Sequence, residues 1–131
     1  MKNLLLLIPI TLLLMACGKN NDNTSFPDRL IGVEIRYTYS GGNEYAVKFE
    51  DDGLRYQYRS GRTPEVWFGP FEYNYMTTES NEHLVSWHEP KKGDYVTLLI
   101  NFEKNLLYGS AIIGKKKVHF QTGEIHEVKK P

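Results

Sequence analysis

The chain has 131 residues, with 16 basic and 16 acidic side chains that cancel to a formal charge of zero, 40% hydrophobic residues and 13% aromatic ones. That length is enough for one domain and short for two. The balanced charge gives no electrostatic reason to expect a nucleic-acid partner.

The first element in the chain is a leader. Lys2 supplies a positive start and Leu4 to Leu14 an apolar run broken by Pro9 and Thr11; small residues then lead into Cys17, the single cysteine. The run is too short to remain as a membrane-spanning helix and reads as the core of a signal peptide covering residues 1–16. Ala16 meets the need for a small residue at the cleavage point, and Cys17 offers a thiol for acylation, so a bacterial lipoprotein is expected. Two or three acyl chains, each worth about 0.8 kcal/mol per buried methylene, would hold the protein to the bilayer durably. Gly18, where an aspartate would favour retention at the inner membrane, points to the outer membrane with the domain facing the periplasm. Residues 17–29 are polar and read as the lipidated cysteine with its tether. With no second cysteine, residues 30–131 must fold without a disulfide.

From there the pattern is that of strands. Ile31, Val33, Ile35, Tyr37 and Tyr39 alternate with Gly32, Glu34, Arg36 and Thr38, and Ser40-Gly41-Gly42-Asn43 turns the chain. Tyr45, Val47 and Phe49 alternate next, and Asp51-Asp52-Gly53 forms a hairpin into Leu54, Tyr56 and Tyr58. Further strands are expected over 64–77, 82–89, 94–103, 106–113, 116–121 and 124–129. Turns are expected at Ser60-Gly61, Pro90 to Asp94, Lys104-Asn105, Gly114-Lys115 and Thr122-Gly123, with Lys115 to Lys117 read as a solvated turn. No segment has a helical period. The fold class is therefore all-β: a single antiparallel barrel of about eight or nine short strands, calycin-like or lipocalin-like, since closure is what removes exposed edges. A sandwich would need longer crossovers than these connections offer.

Two segments offer chemistry. Tyr37 and Tyr39 share the face of Val33 and Ile35, so both hydroxyls point inward. In Trp87-His88-Glu89-Pro90, Trp87 and Glu89 share a face, which sets a carboxyl group against an apolar wall. Desolvation favours a neutral acid in such a place, and a neutral acid can donate a proton, while paired phenols can hold a carboxylate. His83 and His88 fall on opposite faces, and His119 and His126 are distant in sequence, so neither a metal nor a cofactor is expected. No phosphate loop, nucleophile elbow or dinucleotide fingerprint is present.

The order Tyr37-Thr38-Tyr39, Glu44-Tyr45, Val85-Ser86-Trp87-His88-Glu89-Pro90, Gly93-Asp94-Tyr95-Val96, Asn101-Phe102 and Leu107-Tyr108-Gly109 resembles the phenolic acid decarboxylase and MoaF-related group of calycin barrels. In the decarboxylases, two tyrosines and an arginine grip the carboxylate of a hydroxycinnamic acid, and a glutamate protonates its vinyl carbon on the way to a quinone methide. The resemblance implies these roles for Tyr37, Tyr39 and Glu89, with Trp87 beside them. The arginine precedes a tryptophan in that family, whereas Val66 precedes Trp67 here, and neither Arg59 nor Arg62 stands at the matching position. The tyrosine pair and glutamate, kept without the arginine, point to a binding protein for a small, partly apolar molecule, acidic or not, in preference to a decarboxylase. A lyase with Glu89 as acid is the alternative. A surface interaction module is the third, to be favoured by a filled interior beneath an exposed apolar patch.

Overall fold

The computed structural model describes residue 27 and residues 29–131; the leader, Cys17 and most of the tether lie outside it. Among the described residues there are nine strands and no helix: β1 (Glu34–Tyr39), β2 (Glu44–Glu50), β3 (Gly53–Tyr58), β4 (Trp67–Phe71), β5 (Tyr73–Thr77), β6 (His83–Glu89), β7 (Asp94–Asn101), β8 (Leu106–Ile113) and β9 (Lys117–Lys129). All pairings are antiparallel, in one sheet of order β4-β3-β2-β1-β9-β8-β7-β6-β5. The two edge strands, β4 and β5, are consecutive in the chain and separated only by Glu72. The sheet therefore curls until its edges come from one stretch of backbone, and β4 touches β6 across the gap. This is a nearly closed barrel.

Alternation divides inside from outside, as the 2-residue period requires. Ile35, Val47, Phe49, Leu54, Val85, Leu98, Ile100 and Leu107 are fully buried and fill the end of the barrel that holds the turns at 51–52, 78–82 and 102–105. Leu30 and Val33 close this end. They are seated by backbone bonds, the Gly32 amide donating to the Phe49 carbonyl at 2.7 Å and the Phe49 amide to the Val33 carbonyl at 3.0 Å. The opposite end holds the turns at 40–43, 59–66, 90–93 and 114–116 and is lined by tyrosines instead.

The outer surface has two characters. Over β1 to β3 it is laced with ion pairs, among them Arg36 with Glu34 and Glu127, and Arg55 with Glu50 and Asp52. The Arg55 guanidinium holds the Asp52 carboxyl below the usual carboxylate range. Over β7 to β9 the outward positions include Tyr95, Tyr108, Ile112, Val118 and Phe120, all exposed.

Three expectations need correction. Ile31 does not belong to the inward set: it is exposed and Leu30 is buried, because Gly32 at φ 87° turns the chain before β1 begins. The segment 64–77 is not one strand but β4 and β5, which sit at opposite edges of the sheet. Residues 116–121 and 124–129 are one strand, β9, with no turn at Gly123. Gly123 is there for close approach, since a Cβ on it would lie 3.0 Å from Leu107 Cδ1 and 3.3 Å from Tyr39 Cδ1.

Candidate functional site

The tyrosine-lined end holds a cavity of about 160 Å³ that is open to one side. Tyr37, Tyr39, Trp87 and Glu89, drawn from two distant stretches of sequence, all line it, and they are joined by Tyr45, Tyr56, Tyr58, Asp94 and Val96.

The tyrosine wall follows from strand register. The turn at 40–43 pairs Tyr37 with Tyr45, and the hairpin at 51–52 pairs Tyr45 with Tyr58. Three phenol rings thus stand side by side on β1, β2 and β3. Tyr39, two residues beyond Tyr37, shares its face, and the two rings meet edge to face with centroids 5.0 Å apart. Tyr45 stacks on Tyr37 at 5.8 Å, and Tyr58 lies 5.2 Å from Tyr45. Such contacts fix ring orientation as well as burying area. A bulge in the β1–β9 ladder between Arg36 and Tyr37 re-aims this part of β1. Gly109 completes the arrangement: a Cβ there would sit 2.6 Å from the Tyr39 hydroxyl, so the ring occupies a slot that only glycine leaves open.

Glu89 ends β6 and is 4% exposed. Its Oε1 accepts from Trp87 Nε1 at 3.3 Å and its Oε2 from the Tyr56 hydroxyl at 3.1 Å. The β6–β7 turn then folds back on it, the Glu89 carbonyl accepting from the amides of Lys92 at 3.2 Å and Gly93 at 2.7 Å. Gly93 has φ 72°, the left-handed conformation such a turn requires. The turn brings Lys92 Nζ to 3.2 Å from Glu89 Oε2 and 2.6 Å from the Tyr56 hydroxyl. The same ammonium lies over the rings of Phe68 and Tyr56, at 4.9 and 5.3 Å. Asp94 faces Glu89 across the β6–β7 ladder, is also buried, and accepts from the Gly114 amide at 2.7 Å.

The phenols are held as donors. Burial, aided by the neighbouring phenols, pushes Tyr37 well above its ordinary value. Burial raises Tyr39 too, against an opposing effect of its hydrogen bond with Tyr37. Tyr45 is pushed up to about 12, by burial first and then by Tyr58 and Tyr39. Tyr56 is raised by burial and by the charge of Glu89. At neutral pH the cavity therefore presents neutral hydroxyls, one buried carboxyl group with its ammonium partner, and Asp94. Among the described residues no three His, Cys, Asp or Glu side chains cluster.

The arginines do not enter the site. Arg59 is engaged by Gln57 at 3.0 Å and Glu65 at 3.3 Å. Trp67 carries Lys48 over its ring at 4.6 Å, on the far side of β4 from the cavity. The cation that reaches Glu89 is Lys92, which motif matching missed because it lies in the turn after Trp87-His88-Glu89-Pro90. Tyr45, Tyr56 and Tyr58 were missed as well, although counting pairs outward from the two hairpins would have placed Tyr45 and Tyr58 beside Tyr37.

A family model described as phenolic acid decarboxylase matches residues 28–129. Sixteen chains of solved structures match. One is the crystal structure of a provisionally assigned beta-lactamase from Burkholderia vietnamiensis, 18% identical, covering 79% of this chain and 98% of its own, with a TM-score of 0.65. At that identity the likeness is one of fold. Among curated proteins there is no match.

Proposed function

The chain belongs to the phenolic acid decarboxylase family, and from that premise we propose that its cavity binds a small aromatic carboxylic acid of the hydroxycinnamic kind. The observation that carries the reading is the convergence of Tyr37, Tyr39, Trp87 and Glu89 on one hollow. Its size fits. An apolar cavity of roughly 150 Å³ accepts one benzene ring, so a hollow of about 160 Å³ with an open mouth suits a single ring bearing a short acidic arm. Phenolic O–H groups donate to a carboxylate through short, charge-assisted bonds, while Trp87 and Val96 supply the apolar wall.

A lyase is the second reading, favoured by the position of Glu89 on the cavity wall. Protonation of the vinyl carbon by Glu89 and loss of the phenolic proton would give a quinone methide. Breaking of the bond to the carboxylate would then release carbon dioxide and return the electron pair to the ring system. The surface-module reading asked for a filled interior, and the hollow weighs against it despite the exposed residues over β7 to β9.

Titration of p-coumaric acid, with its absorbance followed over time, tests both readings. Binding is expected, and Tyr39→Phe is expected to weaken it about 10-fold, the worth of one hydrogen bond to a charged group. Unchanged affinity in Tyr37→Phe and Tyr39→Phe alike would overturn the binding reading. Loss of the hydroxycinnamate absorbance that disappears in Glu89→Gln would establish the lyase; turnover indifferent to that change would remove Glu89 from the reaction.

The reading includes anchorage: the barrel is held at the outer membrane, facing the periplasm, through acylated Cys17. The chain should appear in the membrane fraction and Cys17→Ala in the soluble one, and an unchanged distribution would contradict lipidation.

A further inference from the structure

A carboxylate entering the cavity meets two carboxyl groups on its wall, Glu89 and Asp94, and no arginine. Two like charges a few ångströms from an anion in a site of low dielectric oppose its binding strongly. The one cation in contact with either of them among the described residues is Lys92, and it does not line the hollow. Its side chain is 43% exposed, and its ammonium lies over Phe68 and touches both Glu89 and Tyr56. The Tyr56 hydroxyl accepts from Lys92 and donates to Glu89, so the three groups form one closed set of hydrogen bonds. Resting on the binding reading above, we propose that Lys92 supplies the cation an acid-binding cavity needs without touching the ligand: it cancels the charge of Glu89 from behind, and an incoming carboxylate then finds tyrosine hydroxyls in front of a neutralised pair. Lys92 is thus a positioning residue that sets which charge of ligand the cavity admits.

The groups facing Glu89 are Tyr56 on β3, Lys92 in the turn and Asp94 on β7, with His119 of β9 elsewhere on the cavity wall. Removing the ammonium leaves Glu89 buried and unpaired.

The test is a double-mutant cycle of Lys92→Met and Glu89→Gln, read in two ways. Without ligand, Lys92→Met is expected to lower the melting temperature by about 5 °C, and Lys92→Met combined with Glu89→Gln to melt within a degree or two of Glu89→Gln alone. With p-coumarate, Lys92→Met should bind about 10-fold more weakly, measured by calorimetry. In the Glu89→Gln background the Lys92 change should alter affinity less than about twofold. An equal loss of affinity in both backgrounds would mean that Lys92 grips the ligand itself, and no loss in either would mean that it is idle; both overturn the proposal. If p-coumarate binds to no form of the chain, the binding reading fails, and the melting temperatures still decide whether Lys92 and Glu89 act as a pair.

Discussion

Phe49→Ala is expected to remove about 3–5 kcal/mol from the stability of the barrel, the cost of deleting a buried aromatic ring whose space cannot collapse. Phe49 is fully buried, and its ring meets that of Tyr73 edge-on with centroids 5.6 Å apart. Tyr73 lies on β5 while Phe49 lies on β2, so the contact crosses the barrel interior between strands that share no ladder. The loss therefore acts on the closure of the sheet as well as on its packing. A domain of this size has about 5–15 kcal/mol in total, so the variant should melt some 15–30 °C lower. In urea its midpoint should fall while the slope stays unchanged. Phe120→Ala, at a ring 79% exposed, should stay within about 0.5 kcal/mol of the parent. A similar loss at both positions would mean that the side chains over β7 to β9 are covered in solution.

The second large effect is alkaline unfolding. Tyr37 and Tyr56 are both buried and both held above the ordinary phenol value. An unfolded tyrosine ionises near pH 10. Above that pH the unfolded chain loses protons that the folded chain keeps, so stability falls as pH rises. Each buried phenol contributes about 1.4 kcal/mol per pH unit to that fall. The contribution is fully present below about pH 10 and disappears as the pH climbs through the raised folded values. Two such groups, with a smaller share from Tyr39 and Tyr45, are enough to unfold a domain of ordinary stability within a few pH units. Tyr95 and Tyr108 are exposed, so the buried phenols are read by difference: the part of the tyrosinate absorbance that Tyr37→Phe removes should rise together with the loss of circular dichroism, and Tyr37→Phe should make the fall shallower. Ionisation of that Tyr37-dependent part near pH 10 while the barrel stays folded would show that the cavity wall is open to water.

Most of the fold could be read from the chain because alternation and turn chemistry are local. Val47, Phe49 and Leu54 are placed inward by parity alone, and Asp51-Asp52-Gly53 fixes the register that follows. Where the reading failed, the cause was not local. Gly123 looked like a turn residue, yet it is the space beside it, filled by Tyr39 and Leu107, that calls for a glycine. Ile31 fitted the alternation, but the positive φ at Gly32 puts it outside. In the candidate site, Tyr37, Tyr39, Trp87 and Glu89 could be named from their motifs. Lys92 could not, because its tie to Glu89 depends on the path of a turn and on the Tyr56 hydroxyl from another hairpin. Nor could alternation tell a hollow from a packed core, since both present the same inward positions and differ in how far the rings reach.

Every strand pairs with a neighbour in sequence, and the sheet splits into two meanders, β1 to β4 and β5 to β9, with one ladder between them. That ladder joins Glu34 to Lys129 and Tyr39 to Gly123. Drawing together segments about 90 residues apart carries a chain-entropy cost that grows with the logarithm of the loop, roughly 4 kcal/mol here, whereas the hairpins close loops of a few residues. The hairpins are therefore expected to form before the β1–β9 ladder that joins the two halves. Tyr37 and Tyr39 lie on that ladder, so the paired phenols face Trp87 and Glu89 only when the pairing most distant in sequence is made.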